Sequence, residues 1–489
     1  MDVWVTSVSI SPQAVFNVIW YVAEAYGFVP DRVYLIWNEG VARQLETVKE
    51  LVVALSRYYG KSVEVVADES VRVYEEDIEE FRSKVGRLLK SLNAEKKGRI
   101  VVDITPGRKF MSSLLLAAGM TYADHVVYLL LRDLSYMNNF LFHIPFSLQK
   151  LIDLKSLFKS TPPLSGERAK GEREKVFITR RDVMCVLNSL YLDNRLVHDL
   201  KVKNQVIGRL SLKLKRNEAL FKPYPISFFD EAHGDSSLIR EVVLSSGMAR
   251  FANEEEAFKE VLDRVTGGGR TVYVGFDTNS LIFRVPSKLM ELLERGYAQR
   301  KAEMLSLNFT VSDEVLREVS RNVNQKLPFD PKLGEYSNQL TPKARLFMIA
   351  QGELQTLNKR NYEVASSDAS GKSGDEKIAL DYKSFAAEKG DTIVFTTDDA
   401  AFIAMENYVK QGVIPVKLEH PQQQESYVGR WDDARDLLYY LSTVLGEISI
   451  PPYKLKGVWG GKNARDWRQE RLALINFEYK RILDVNAKL

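Results

Sequence analysis

Short apolar runs and stretches of helical period alternate over the first part of the chain. The runs VWVTSVSI, RVYLIWN, SVEVVAD, RIVVDI and HVVYLLL read as strands, and the segments at about 13–26, 41–59, 75–93 and 109–122 read as the helices between them. Strictly alternating strand and helix signals predict a parallel sheet with crossover helices, a doubly wound α/β domain. The segment KSTPPLSGERAKGEREK, 159–175, mixes Pro, Gly, Ser and charge without apolar periodicity and reads as a linker. Residues 176–265 read as mostly helical, with a basic run from Lys201 to Lys222 that suits either a nucleic-acid-reading module or a solvated connector. Strand–helix alternation returns at Thr271. The expected organisation is therefore three units, at 1–158, 159–268 and 269–489.

A chain of 489 residues is too long for one core, in keeping with that division. Its 45% hydrophobic and 27% charged residues are ordinary for a globular protein. There is no apolar run of membrane-spanning length, and the opening MDVWVTSVSI lacks a basic region followed by an apolar core, so a cytoplasmic location and no membrane partner are expected. The single cysteine, Cys185, excludes an internal disulfide and a cysteine-cluster zinc site. It lies among Val183, Met184, Val186 and Leu187 as a core thiol. His125, His143, His198, His233 and His420 show no ligand spacing. With 68 basic residues against 65 acidic ones, the net charge of +3 identifies no partner, and local patches must do so.

The chemistry gathers in the third unit. TVYVGFDTNSLIFR puts a carboxylate, Asp277, at the end of an apolar strand, where ligands of open parallel sheets collect. In NFTVSDEVLREVSRNV, Ser312 is placed to cap a helix whose buried face is Val315, Leu316, Val319 and Val323. On that wheel Glu318 borders the core and Glu314 points to water. In SGDEKIALDYKSFAAEKG, Asp375 shares a stripe with Ile378, Ala379, Tyr382, Phe385 and Ala386, whereas Asp381 falls with Ser384 and Glu388 on the outer face. TIVFTT is a further strand, ending in Asp398 and Asp399. Asp399, Glu314, Glu376 and Asp381 are read as surface or capping acids. If Asp277, Glu318, Asp375 and Asp398 converge, each pair repels by about 4 kcal/mol at about 4 Å for an effective dielectric of about 20. A divalent cation or raised pKa values must relieve this, and oxygen-only donors select Mg²⁺ or Mn²⁺. Such ions activate water and stabilise charge in phosphodiester cleavage.

FDTNSLIF, VSDEVLREV, GDEKIALD and FTTDDAAF, in that order, resemble the successive acidic motifs of PIN-domain nucleases over about 270–415. The resemblance implies an α/β fold with a parallel sheet and a metal-dependent nuclease acting mostly on RNA. It also implies Asp277, Glu318, Asp375 and Asp398 as catalytic metal ligands, with Asn279 and Thr397 shaping the site. A long insert, 324–374, departs from the pattern and ends in SSDASGKSGDE, a lid or a plain loop. Near the C-terminus, KGVWGGKNARDWRQER sets Trp459 and Trp467 among basic residues. That mixture suits single-stranded nucleic acid or packing of the tryptophans against the sheet.

A second candidate site lies in the first unit. RIVVDITPGRKFMSS is strand, turn, helix, with Thr105, Pro106 and Gly107 making the turn and Arg108 and Lys109 at a helix start that attracts anions. Neither a phosphate-loop nor a dinucleotide fingerprint is present. Ser9 and Ser11, after the first strand, belong to the same sheet edge; ordinary caps at both places are the alternative. DITPGRKFMS and the SISPQ turn resemble the CARF domain of CRISPR-associated effectors over about 1–150, with Pro106 replacing a typical Gly. This implies a Rossmann-like homodimer that binds cyclic oligoadenylate across its two-fold axis and switches on an attached effector. Ser9, Ser11, Thr105, Gly107, Arg108 and Lys109 would line the ligand.

Together these expectations describe a type III CRISPR effector: a CARF-like sensor, a helical connector and a PIN-like nuclease with a C-terminal extension. It would cut single-stranded RNA or DNA with Mg²⁺ or Mn²⁺ when cyclic oligoadenylate is bound. The rival reading is a ligand-responsive nucleic-acid-binding regulator with a degenerate acidic site.

Overall fold

The computed structural model describes residues 1–489 except 75–76, 96, 159–161, 163, 165, 214–216, 227–229, 267–270, 297–306, 370, 373 and 458–470. Its first sheet has the order β3-β2-β1-β4-β5-β6. Here β1 is Val3–Ser7, β2 Arg32–Ile36, β3 Glu64–Val66, β4 Ile100–Asp103, β5 His125–Leu131 and β6 Gln149–Asp153. The first five are parallel, and β6 closes the edge antiparallel to β5. Helices Pro12–Tyr26, Ala42–Tyr58, Ile78–Glu95 and Lys109–Tyr122 make the crossovers. Alternation along the strands feeds two cores. Trp4, Val33, Leu35 and Val101 join the large cluster that continues through the molecule, while Val3, Val5, Tyr34 and Val102 pack under helices Ile78–Glu95 and Lys109–Tyr122.

The second unit corrects the expectation of a helical connector. Strands β7 (Glu174–Ile178), β8 (Val197–Val202), β9 (Gln205–Leu212) and β10 (Ala219–Pro223) join β16 (Tyr427–Gly429), β17 (Glu447–Ile450), β18 (Tyr453–Gly457) and β19 (Leu472–Phe477). They form one sheet of order β16-β10-β9-β8-β17-β18-β19-β7. Part of the basic run is thus the β8–β9 hairpin. Leu200, Val202, Ile207, Leu210 and Leu212 alternate inward, and Lys203 takes a left-handed φ of 51° at the turn. Side-chain alternation of period two outweighs net charge here, because every second residue reaches the core. The helices of this segment are Val183–Leu192, Ser236–Ser246 and Glu254–Thr266. The segment read as a linker is mostly exposed in its described part, with two anchoring residues. Leu164 is buried, and Arg168 pairs with Glu24 at 2.5 Å and Asp193 at 3.1 Å.

The third sheet is inserted in sequence between β10 and β16. Its order is β13-β12-β11-β14-β15, all parallel. These strands are β11 Val272–Phe276, β12 Asn308–Ser312, β13 Glu363–Ala365, β14 Asp391–Thr396 and β15 Val413–Lys417. What the sequence presents as a C-terminal extension of this unit is half of the second sheet together with the helix Trp431–Val444, whose described side chains are nearly all buried. Among the described residues no helix is long and apolar enough to cross a membrane.

Candidate active site and sensor site

In the third sheet the strand order reverses direction at the β11–β14 pair, and the crevice at such a switch point is where doubly wound sheets bind ligands. Asp277 follows β11 there. It is buried, caps the short helix Thr278–Ile282, and its carboxylate accepts from Ser280 N at 2.6 Å, Thr396 Oγ1 at 2.6 Å and Thr397 N at 3.4 Å. Burial still pushes its carboxyl above the ordinary range, with the three donors pulling the other way. Asp398 caps the helix Asp399–Glu406 after β14 and is half-buried. Asp375 opens the helix Asp375–Lys389.

Asp375 records the convergence. Its carboxyl is raised first by burial and then by the charges of Asp398 and Glu318. Glu318, on the helix Asp313–Asn322, accepts from Thr278 Oγ1 at 2.6 Å, which ties it to the residue after Asp277. The structure therefore brings Glu318 and Asp398 close enough to Asp375 for their charges to act on it, with Thr278 linking Glu318 to the residue after Asp277. No three of the four acids bring their ligand atoms within 4.8 Å of one another. Asn279 is half-buried and Thr397 buried at the same rim. The half-buried carboxylates of Asp375, Glu318 and Asp398, without a described lysine or arginine paired to Asp375, form an oxygen-only donor set that fits a hard divalent cation.

Two acids differ from expectation. Glu314 is buried, not turned to water, and pairs with Arg321 at 2.9 Å. Glu318 is less buried than Glu314. The first helical turn lies under neighbouring elements at the sheet edge, so position along the axis overrides the wheel. Asp381, read as an outer-face residue, is fully buried. It accepts from Ser312 Oγ at 2.8 Å and Ser367 Oγ at 2.7 Å and pairs with Lys377 at 2.9 Å. The exposed Asp399 pairs with Lys417, and exposed Glu376 with Lys372 at 2.6 Å. The aromatic and basic residues Trp459, Lys462, Arg465, Trp467 and Arg468 lie outside the described residues.

The first sheet repeats the arrangement. Its order reverses at β1–β4, and the residues at those two strand ends are Ser9, Ser11 and 105–109. Asp103 is fully buried beneath them and accepts from Thr6 Oγ1 at 3.0 Å and Thr105 N at 2.8 Å. Gly107 has φ of 98°, and a Cβ there would meet Ser7 Oγ at 2.4 Å, so only glycine permits this turn. Arg108 and Lys109 are exposed at the start of the helix Lys109–Tyr122, which has no side-chain cap. Thr105 Oγ1 accepts from Leu129 N at 2.9 Å. The Ser9 hydroxyl bonds Ser11 O at 3.0 Å, and the Ser11 hydroxyl bonds Gln13 at 3.0 Å. Thr6, Ser7 and Asp103, which position this edge, are missed by sequence reasoning; their signal is polar residues closing buried strands.

One grouping was invisible in sequence spacing. Among the described residues, His143, Asp182 and Cys185 are the one set of three ligand-type side chains within 4.8 Å. Thr179 N donates to Asp182 at 2.9 Å and Asn486 Nδ2 to Cys185 Sγ at 3.0 Å; burial lowers His143 and raises the Cys185 thiol well above its ordinary range.

No family model matches this chain, and no curated protein matches it. Among solved structures, Can2 from Sulfobacillus thermosulfidooxidans in complex with cyclic tetra-adenylate is 10% identical, with 85% of this chain and 93% of that chain covered and a TM-score of 0.26. Enterococcus italicus Csm6 bound to cyclic hexa-2'-fluoro-hexa-dAMP is 11% identical, with 66% and 60% covered and a TM-score of 0.22. TM-scores this low do not establish a shared fold.

Proposed function

We propose that this protein is a cyclic-oligoadenylate-gated, metal-dependent nuclease, a type III CRISPR effector with a PIN-like catalytic unit acting on single-stranded RNA or DNA. The observation that supports the reading is the approach of Glu318 and Asp398 to Asp375, in the sheet whose switch-point strand β11 leads into buried Asp277. Asp277, Glu318, Asp375 and Asp398 would hold Mg²⁺ or Mn²⁺. The ion supplies an activated water and charge stabilisation at the phosphodiester. Thr278 orients Glu318, and Thr396 with Ser280 orients Asp277. At the first sheet, Arg108, Lys109 and the free N–H groups of the helix start suit a polyanionic ring, with Ser9, Ser11, Thr105 and Gly107 around it. The resemblance to CARF domains adds a homodimer with the ligand on its axis.

The test is cleavage of single-stranded RNA and DNA with Mn²⁺, with and without cyclic tetra- and hexa-adenylate. Asp277→Asn and Asp398→Asn are expected to abolish cleavage while cyclic-oligoadenylate binding persists. Mn²⁺ should raise the melting temperature of wild type more than that of Asp398→Asn, since a ligand stabilises only the state that binds it. Equal shifts in both, or cleavage at wild-type rates in Asp277→Asn, would remove the metal-site assignment. Arg108→Ala with Lys109→Ala should lose activation and retain basal cleavage.

A further inference from the structure

Between the loop after β5 and Arg284, in the segment that follows Asp277, runs a series of side-chain polar contacts. β5 leaves the sensor edge beside Thr105 and leads into the turn Leu134–Tyr136. Asn17, on the helix that begins just after Ser11, grips the far side of this loop. Its Nδ2 donates to Asn139 O at 3.0 Å, and its Oδ1 accepts from Leu141 N at 2.9 Å. From the loop, the Tyr136 hydroxyl donates to Asp432 Oδ2 on the helix Trp431–Val444. Asp432 Oδ1 accepts from Arg435 Nη1 at 3.0 Å, Arg435 Nε donates to Asp436 Oδ1 at 2.8 Å, and Asp436 Oδ2 accepts from Arg284 Nη1 at 2.7 Å. Each carboxylate uses one oxygen for the neighbour on each side. Arg284 follows the helix Thr278–Ile282, whose cap is Asp277.

Two features of this series are costly for mere packing. Arg284 holds a left-handed φ of 59° although it is a long side chain in a buried place. Such backbone persists only where the surroundings enforce it, and it concentrates at functional positions. Asp436 and Arg284 are both nearly inaccessible to water, and buried ion pairs of this kind are often replaceable by apolar groups without loss of stability. A cavity of about 400 Å³ opens beside them where the three units meet, giving the charged groups space to rearrange.

We propose that Tyr136, Asp432, Arg435, Asp436 and Arg284 form the relay by which occupancy of the sensor edge reaches the acidic site, with Arg284 a positioning residue acting through Asp277. This rests on the sensor–nuclease reading above. A shift of the 133–139 loop changes the partner of Asp432, the shared carboxylates pass the change to Arg284, and the cap of helix Thr278–Ile282 moves with it. A contiguous contact series becomes a coupling route only when coupling is measured.

The experiment uses the full chain and three readouts: binding of cyclic tetra- and hexa-adenylate by calorimetry, Mn²⁺-dependent cleavage without activator, and cleavage with it. Tyr136→Phe, which removes one hydroxyl, and Arg435→Lys, which keeps the charge but loses the planar fork whose Nε and Nη1 reach the two carboxylates, should each cut the activation ratio by about tenfold. Ligand binding and activator-free cleavage should stay within about twofold of wild type, a change of about 0.4 kcal/mol or less. Tyr136→Phe combined with Arg284→Lys should lose no more activation than the worse single variant, because both interrupt one route. Variants activated like wild type, or losses that add, overturn the relay and leave the functional reading standing. A wild-type chain that binds neither ring, or that binds and cleaves but is not activated, overturns the functional reading and the relay together.

Discussion

Complete burial raises the Asp103 carboxyl from 3.8 to about 7, against the pull of hydrogen bonds from Thr105 and Thr6. Near neutral pH this group therefore exchanges its proton beneath the very turn that carries Arg108 and Lys109. The sign of the consequence follows from proton counting. Between the unfolded value of 3.8 and about 7 the native state holds a proton that the unfolded chain has released, so stability falls as pH rises through this window and levels off above it. Asp103→Asn carries no titrating group and should lack that part of the slope. Melting curves at pH 5 and pH 8 check this: wild type should lose more stability between the two than the variant does. Parallel losses would mean that Asp103 is ionised throughout.

At the scale of elements, the third sheet is held to its covering helix by the buried Tyr382 hydroxyl, which bonds Phe276 and Ser312, and by one buried carboxylate. Asp381 connects the helix Asp375–Lys389 to Ser312 at the end of β12 and to Ser367 after β13, while Lys377, itself buried, has Asp381 as its ion partner. Asp381→Asn leaves that lysine charged and unpaired, which costs about 3–5 kcal/mol. Glu376→Gln, on the exposed face of the same helix, should change stability by no more than about 0.5 kcal/mol. Chemical denaturation of the two variants separates them. The same element shows what patterning conveys and what it omits. Apolar periodicity places β5 and the helix Lys109–Tyr122 at their observed limits, because those segments bury one face against their own sheet. It fails for Asp381 and Glu314, whose burial is imposed by elements distant in sequence and leaves no trace in local spacing. It also fails for the β8–β9 hairpin, where lysines and arginines on the outer face mask a clean inward alternation. The strand-end acids are legible because a carboxylate closing an apolar strand is a local feature. Their approach to one another, through Asp375, is a property of the sheet order.

For the whole molecule, the decisive fact is that the second sheet is assembled from both ends of a long excursion. β10 pairs with β16, and β17 pairs with β8, so the strands before 224 have no complete sheet until those after 426 return. The returning segment also carries the helix Trp431–Val444, whose Trp431, Leu437, Leu438 and Leu441 are fully buried. Burial of a large apolar side chain is worth about 1.5–3 kcal/mol, and a net stability of about 5–15 kcal/mol cannot survive losing many of them. A chain ending at residue 426 keeps every strand of the first and third sheets yet should lose cooperative folding of the second. Arg284, deprived of its shortest ion pair with Asp436 at 2.7 Å, would be left to its longer pairs with Glu353 at 3.5 Å and Glu291 at 3.9 Å, beside the helix that Asp277 caps. The expected result is rapid proteolysis within 174–223, a lowered and broadened melting transition and no cleavage. A truncated chain that melts and cleaves like the full one would show that the C-terminal segment is an appendage, and that the nuclease-like unit does not depend on the sheet into which it is inserted.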